Sequence, residues 1–463
     1  MPLFAIELND RALALASEGR LLSVAPSAVF DGSGPEPAGA AAWQWLRRRP
    51  TATSTRHLRD LSSPGPAARR AHALVSAELA RRLHAHAPLP GSRVWLASSA
   101  ALEPHGLAIL LGVTRELNLP VDGFVDAAVV SAAALGLDRP ALALDLGLHH
   151  TAVTAIEAGG RVSRRRLVSG TRGGLIELYQ AWMSMIGTTL VKRTRFDPLH
   201  DAATEQQLFD ALPALAHTAV ADGSALASIK VAGQSYETTL SRDQLAEAAE
   251  PIYAEMLALL HALRPAGAPV ALLVPQAALE IPGLREALEG FSGCELVALA
   301  DGFAAAALST LELPRRAAED PVRLLRRLPS RIVPPCAALA TREILGRDLA
   351  PAPPTHILLD GTTYALGRGS LTVGREPGEE PAIRLPEGLA GISRRHCTFV
   401  REGAETVLVD HSRCGTLVNG ERIAERARVR AGDRVRVGEP GVELALISVT
   451  EASASDERHN ATA

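Results

Sequence analysis

The sequence predicts an α/β body followed by a smaller all-β module. Three observations carry this. From residue 1 to about 312, short apolar runs alternate with segments whose apolar residues recur every three or four positions. A proline- and arginine-rich stretch, 313–354, then breaks the pattern. From 355 to 449, short strand-like runs return at regular intervals, with polar turns between them.

The chain has 463 residues, enough for two to four domains at about 100–200 residues each. A hydrophobic content of 47% supplies real cores and excludes wholesale disorder. The net charge of −3 argues against a general nucleic-acid coat. No apolar run reaches the roughly 18–20 residues of a membrane span. The segment Met1–Glu7 lacks a basic stretch followed by an apolar one, so no signal peptide is expected. Cys294, Cys336, Cys397 and Cys414 stand far apart with no CxxC pair. Neither a metal site nor a disulfide framework is expected, and a reducing cytoplasm fits. Arginine supplies nearly all the positive charge. Lys192 and Lys230 are the only lysines, so any lysine-dependent step is confined to them.

In the body, Val94–Ala97, Ala141–Leu144 and Val270–Val274 read as buried strands. Leu245, Ala249, Ile252, Met256, Leu259 and Leu263 mark a helix. Strands alternating with helices give an α/β fold. Ala141–Thr151 is a strand, an acidic turn and a second strand. A Gly-opened turn there can present backbone N–H groups to a phosphate, and an Asp can hold Mg²⁺ through water. This makes Asp145 and Gly147 candidates. The plain alternative is a turn, and for Gly173 with Gly174 it is a tightened strand–helix joint. The stretch 313–354 reads as a solvated spacer, with short helices at 322–328 and 337–345. The module 355–449 reads as a β-sandwich, with strands at 356–359, 364–366, 397–400, 406–409 and 444–447. The tail, 450–463, is small and polar and reads as disordered.

The module carries Gly374-Arg375, then Ser393-Arg394-Arg395-His396, then Ser412-Arg413-Cys414-Gly415-Thr416, then Asn419-Gly420. Arginines, hydroxyls and Gly-opened turns at strand ends suit a phosphate dianion. In order and spacing these residues resemble the forkhead-associated (FHA) domain, over about 355–449. The resemblance implies a sandwich that binds phosphothreonine peptides on proteins phosphorylated by a Ser/Thr kinase. It implies that Arg375 holds the peptide backbone, that Ser393 and Arg394 meet the phosphate, and that His396 braces the loop. Gly374, Gly415 and Thr416 are structural by the same comparison. Asn419 joins the candidate binding set, beside Gly420 as a turn former. The family's Asn in Ser-x-Asn-Gly-Thr is Cys414 here, a poor donor. Arg413 beside it could add a phosphate contact.

Segments of the body, taken in order, resemble the heat-shock protein 70 nucleotide-binding domain of the actin-like ATPase superfamily. They are Val94–Leu102, Leu119–Gly136, the Asp145-x-Gly147 hairpin, Ser169–Leu178 with Gly173-Gly174, Tyr236–Leu245, Leu272–Gly283 and Ala298–Ala307. The likeness spans about 1–312 and implies possible ATP with Mg²⁺ at Asp145, Gly147, Gly173 and Gly174. Key parts depart from the family. The first phosphate hairpin is Glu7-Leu8-Asn9-Asp10-Arg11, which lacks the Gly and both hydroxyls and adds a second carboxylate. No lysine precedes Lys192, and Gln276-Ala277-Ala278 stands where the family has Gly-Gly.

The expectation is a multidomain protein: an actin-like α/β frame joined to an FHA sandwich. It acts as a phosphothreonine-reading adaptor in kinase signalling; the enzymatic alternative is an ATP hydrolase of the actin-like superfamily, and a bacterial source fits the combination. The competing expectation is an ATP-binding heat-shock 70-like switch recruited through the FHA module.

Overall fold

The computed structural model describes residues 2–31, 38–100, 102–170, 173–264, 269–291, 294–317, 319–331, 339–345, 354–359, 362–367, 369–378, 381–386, 388–403, 405–438 and 441–447. The tail expected to be disordered, 450–463, lies outside them, as does Cys336. The chain divides into two compact units. The first is Met1–Leu260, Pro269–Glu289 and Cys294–Leu345; the second gathers His261–Ala268, Gly290–Gly293 and Gly346–Ala463.

In the first unit, β1 (Leu3–Leu8), β2 (Ala12–Ser17) and β3 (Arg20–Pro26) form an antiparallel meander. β4 (Arg93–Ser98) pairs parallel to β1, and β5 (Val121–Asp126) parallel to β4. The second sheet repeats this plan. β6 (Ala141–Leu146), β7 (Thr151–Glu157) and β8 (Arg161–Ser169) are antiparallel. β9 (Ala271–Pro275) then pairs parallel to β6, and β10 (Glu295–Leu299) parallel to β9. The helices include α1 (Pro66–Ala85), α2 (Pro104–Glu116), α3 (Ala127–Ala134), α4 (Leu175–Thr194), α5 (Ala202–Asp222), α6 (Arg242–Leu263) and α7 (Phe303–Leu308).

The period of two along β1 explains how one strand serves two cores. Phe4, Ile6 and Leu8 pack with Val75 and Leu79 of α1 and Leu110 of α2. Leu3 and Ala5 face the other way, into a core shared with Ala141 and Ala143 of β6, Leu273 of β9, α3 and α7. α3 and α7 place Ala132, Ala133, Ala134, Ala304, Ala306 and Ala307 in this core, and small side chains let helices pack closely. Asp126 caps α3, accepting from Ala128 N–H at 3.1 Å, and pairs with Arg164 of β8 at 2.7 Å.

The spacer expectation for 313–354 is corrected. Residues 323–325, read as helix, are β11 (Arg323–Leu325), parallel to β5. β12 (Arg327–Pro329) lies antiparallel to β8, and β13 (Ala340–Ile344) antiparallel to β10. All three lie at sheet edges. An edge tolerates Pro329, which has no N–H to give to a ladder.

The second unit holds β14 (His356–Leu359), β15 (Thr362–Ala365), β16 (Ser370–Gly374), β17 (Ala382–Arg384), β18 (Cys397–Glu402) and β19 (Glu405–Asp410). β20 (Thr416–Val418), β21 (Glu421–Arg422), β22 (Arg426–Val429), β23 (Arg434–Val437) and β24 (Val442–Ile447) follow. One sheet runs β15-β14-β24-β23-β20-β21, the other β17-β16-β18-β19-β22. Alternate residues such as Val373, Phe399, Leu408, Val435 and Leu444 meet in one core between them.

Candidate functional sites

The first site is built on the loops at one end of the sandwich. Gly374 closes β16. A Cβ there would fall 2.0 Å from the Arg394 carbonyl oxygen, so glycine alone lets the 385–396 loop lie this close. The approach is cemented by backbone bonds: Arg375 N–H donates to the Ser393 carbonyl at 3.2 Å, Glu376 N–H to that of Arg394 at 2.9 Å. His396 is buried and its Nδ1 accepts the Ser393 N–H at 3.1 Å. Burial pushes its imidazole pKa down, which keeps Nδ1 an acceptor. The bracing role expected of His396 has this geometry.

Ser393 Oγ accepts the Arg413 N–H at 3.3 Å and so joins the first loop to 411–415. Asp410 shapes that second loop. Its carboxylate accepts from Ser412 N–H at 2.9 Å, Thr416 N–H at 3.1 Å and Thr416 Oγ1 at 2.9 Å. Burial alone would raise the Asp410 pKa, but these donors hold it below the usual carboxylate range. Ser412 Oγ accepts the Gly415 N–H at 2.7 Å. Gly415 has φ +86° and a Cβ on it would lie 2.2 Å from Arg422 Nε.

Arg375, Ser393, Arg394, Arg413 and Cys414 thus come together on adjoining loops. Arg394, Arg413 and Cys414 are exposed, whereas Arg375 and Ser393 are half-buried. Arg394 Nε lies 3.6 Å from Glu376, while Arg375 and Arg413 have no acidic partner among the described residues. Two unpaired guanidinium groups beside a serine hydroxyl offer charge-assisted donors to a phosphate. Asn419 is corrected: it is buried at φ +51°, and its amide is spent inside the fold. Nδ2 donates to Asp433 at 2.9 Å and Oδ1 accepts the Arg434 N–H at 2.9 Å. It makes the turn. Asp410, Ser412 and Asp433 belong to the same sequence cluster but have no role assigned from it. The signal for the first two was present, since Asp-x-Ser is an Asx-turn pattern.

The second site is the crevice at the carboxyl ends of the parallel strands of both sheets, where α/β folds commonly bind ligands. A cavity of about 100 Å³ there is lined by Glu7, Asn9, Ser99, Asp145, Pro275 and Asp301, among others. Burial pushes the Glu7 carboxyl up to about 7, although it accepts the Ala305 N–H at 3.0 Å. Arg11 pairs with Asp301 at 2.5 Å.

The hairpin between β6 and β7 already holds a carboxylate. Asp10 Oδ1 accepts the Leu148 N–H at 2.8 Å, and Oδ2 accepts that of His149 at 3.1 Å. His150 Nδ1 lies 3.2 Å from Oδ2. Gly147 admits this packing: a Cβ on it would fall 2.4 Å from Asp10 Oδ1. Asp145 is also engaged. Its oxygens accept from Asn9 Nδ2 at 3.3 Å and Ala100 N–H at 3.1 Å, and His150 Nε2 stands 3.5 Å away at an ionic separation. Burial opposes a charge on His150, but Asp145 and Asp10 override it and push the imidazole up to about 10. Burial likewise opposes the Asp10 charge, and His150 with the two N–H groups holds its pKa below the ordinary value. Gly174 sits where a Cβ would be 2.3 Å from the Leu148 carbonyl oxygen, and Gly173 N–H donates to Glu177 at 2.9 Å. These glycines tighten the joint into α4.

Residues 371–438 match the family model of the FHA domain. No curated protein matches the sequence. The chain carries an FHA domain, a module that binds phosphothreonine-containing proteins, and its role in general terms is that of a phosphothreonine-binding adaptor. Among the described residues, no helix is long and apolar enough to cross a membrane.

Proposed function

We propose that the protein is a phosphothreonine-reading adaptor in Ser/Thr-kinase signalling. Its first unit is an actin-like frame of the heat-shock 70 type, used for protein interaction rather than nucleotide turnover. The reader rests above all on the joint at Ser393: its hydroxyl ties two loops together, with the unpaired arginines Arg375 and Arg413 beside it. A phosphoryl group of about −1.5 to −2 charge is the natural counterpart. Arg375, Ser393, Arg394 and Arg413 carry the contact in this reading, and Cys414 lines it without a strong donor.

The frame reading is supported by the repeated strand plan of the two sheets, β5-β4-β1-β2-β3 and β8-β7-β6-β9-β10. The crevice does not fit a triphosphate. The N–H groups of Leu148 and His149 that would meet a phosphate already serve Asp10, and Asp145, which would hold Mg²⁺ through water, already serves Asn9 and Ala100.

Calorimetry of the full chain with matched phosphothreonine and unphosphorylated peptides tests the reader. Binding of the phosphorylated peptide alone is expected. A charge-assisted bond contributes roughly 1.5–3 kcal/mol, so Arg375→Ala or Ser393→Ala should weaken it about tenfold or more. Equal affinity for the two peptides would sink the proposal.

A further inference from the structure

Three arginines on the strands of the FHA module are paired: Arg426 with Glu402, Arg428 with Glu405 at 2.8 Å, Arg434 with Glu443 at 2.6 Å. Near the loops, Arg413, Arg422 and Arg436 are exposed and have no acidic partner among the described residues. Glu443 stands opposite Arg436 in the register, but its carboxylate pairs with Arg434.

Arg422 and Arg436 share one line that begins at the second loop. Arg422 reaches the second loop, since its guanidinium lies against Gly415, directly after Arg413 and Cys414. The register then sets Arg422 opposite Leu417 on one side and Arg436 opposite Leu417 on the other. Arg422, Leu417 and Arg436 therefore share one row across β21, β20 and β23. Their neighbours Thr416, Val418, Val435 and Val437 are buried, so this row faces solvent. β21 ends its sheet, leaving the row open on that side. At about 4.8 Å per strand, Arg436 stands about 10 Å from Arg422, the span of three residues of extended peptide.

We infer that this row is a second recognition surface, for acidic groups in the same peptide that presents the phosphothreonine. It rests on the phosphothreonine reading above. The groups are carboxylates or a second phosphate, a few residues from the phosphothreonine. The surface also accounts for how the module tolerates Cys414: a lost peptide-backbone contact is offset by charge along the flank. Exposed ion pairs contribute modestly, so the expected gain is about tenfold and falls with salt.

The test uses the full chain and four labelled peptides: phosphothreonine with neutral flanks, phosphothreonine with Asp and Glu on both flanks, a doubly phosphorylated peptide, and the acidic peptide without phosphate. The acidic-flank or the doubly phosphorylated peptide, or both, should bind about tenfold tighter than the neutral one. Which of the two gains identifies the source of the negative charge. The double variant R422E/R436E should bring the favoured peptide down to the affinity of the neutral one or below. R426E makes the same kind of charge change at a paired arginine and should keep the preference. Equal binding of all phosphothreonine peptides, or a preference that survives R422E/R436E, overturns this inference and leaves the reader intact. Failure of every phosphothreonine peptide overturns both.

Discussion

Asp10 and His150, 140 residues apart in the chain, face each other at 3.2 Å. Each comes from a turn of a different sheet, one after β1 and the other before β7. The carboxylate also receives the backbone donors of the opposite hairpin, so a side chain performs the bridging that a bound anion would otherwise supply.

Removing one partner should be costly. Asp10→Ala leaves a buried imidazolium short of one of its two carboxylates and orphans the N–H groups of Leu148 and His149. Breaking a buried pair from one side costs about 3–5 kcal/mol. Urea denaturation should show the loss in the transition of the first unit. The Asp10→Ala/His150→Ala double variant should lose clearly less than the two single losses added together.

The pair also dictates a pH profile. A raised imidazole pKa gives stability that is full below the unfolded value of about 6.5 and drains as pH climbs through the folded value. For His150 that folded value is about 10. Asp10 is lowered, so its share is present above the unfolded value of about 3.9 and is lost as pH falls. The bridge should stabilise most between about pH 4 and 6.5. Denaturation midpoints measured from acid to alkali should decline above that window, and His150→Ala should flatten the alkaline decline.

Gly374→Ala tests the recognition end from below. Its Cβ would meet a backbone oxygen, which cannot swing aside as a side chain can. Overpacking of this kind costs about 1–3 kcal/mol, and it should push Ser393 away from Arg375. The melting temperature and phosphothreonine affinity should both drop, the affinity at least as much as in Ser393→Ala.

A nucleotide that bound the first unit would raise its melting point. At 100 times Kd, a ligand adds about 2.7 kcal/mol to the folded state. With the donors of the second hairpin engaged by Asp10, the melting temperature in saturating Mg-ATP should stay flat. An upward shift would favour the ATP-binding switch over the scaffold.

Local pattern exposed much of this in advance. The apolar runs at 94–97, 141–144 and 270–274 are strands, and the periodic stretch at 245–263 lies in a helix. The arginines and hydroxyls of the recognition loops could be named because they cluster within short spans. What stayed hidden depends on distant partners. β11 and β12 are only three residues long and arginine-rich, so nothing in their own composition marks a strand; the sheets they join do. Asp10 read as an obstacle to phosphate, but that it fills the opposite hairpin needed both sheets in place. Asn419 stands both among the binding candidates and as a turn former in the sequence, and only Asp433, fourteen positions on, shows its amide drawn inward.

The strands contributed by 323–344 bear on how the protein can be divided. They cover β5 on one sheet and both β8 and β10 on the other. A fragment stopped at residue 312 would leave those three ladders with bare N–H and C=O groups, ready to zip onto a neighbouring molecule. Such a fragment should be recovered as aggregates, while one carried through Leu345 keeps short, arginine-bearing strands at those edges. The proline-rich passage that looks like packaging between two domains is the hem of the first one.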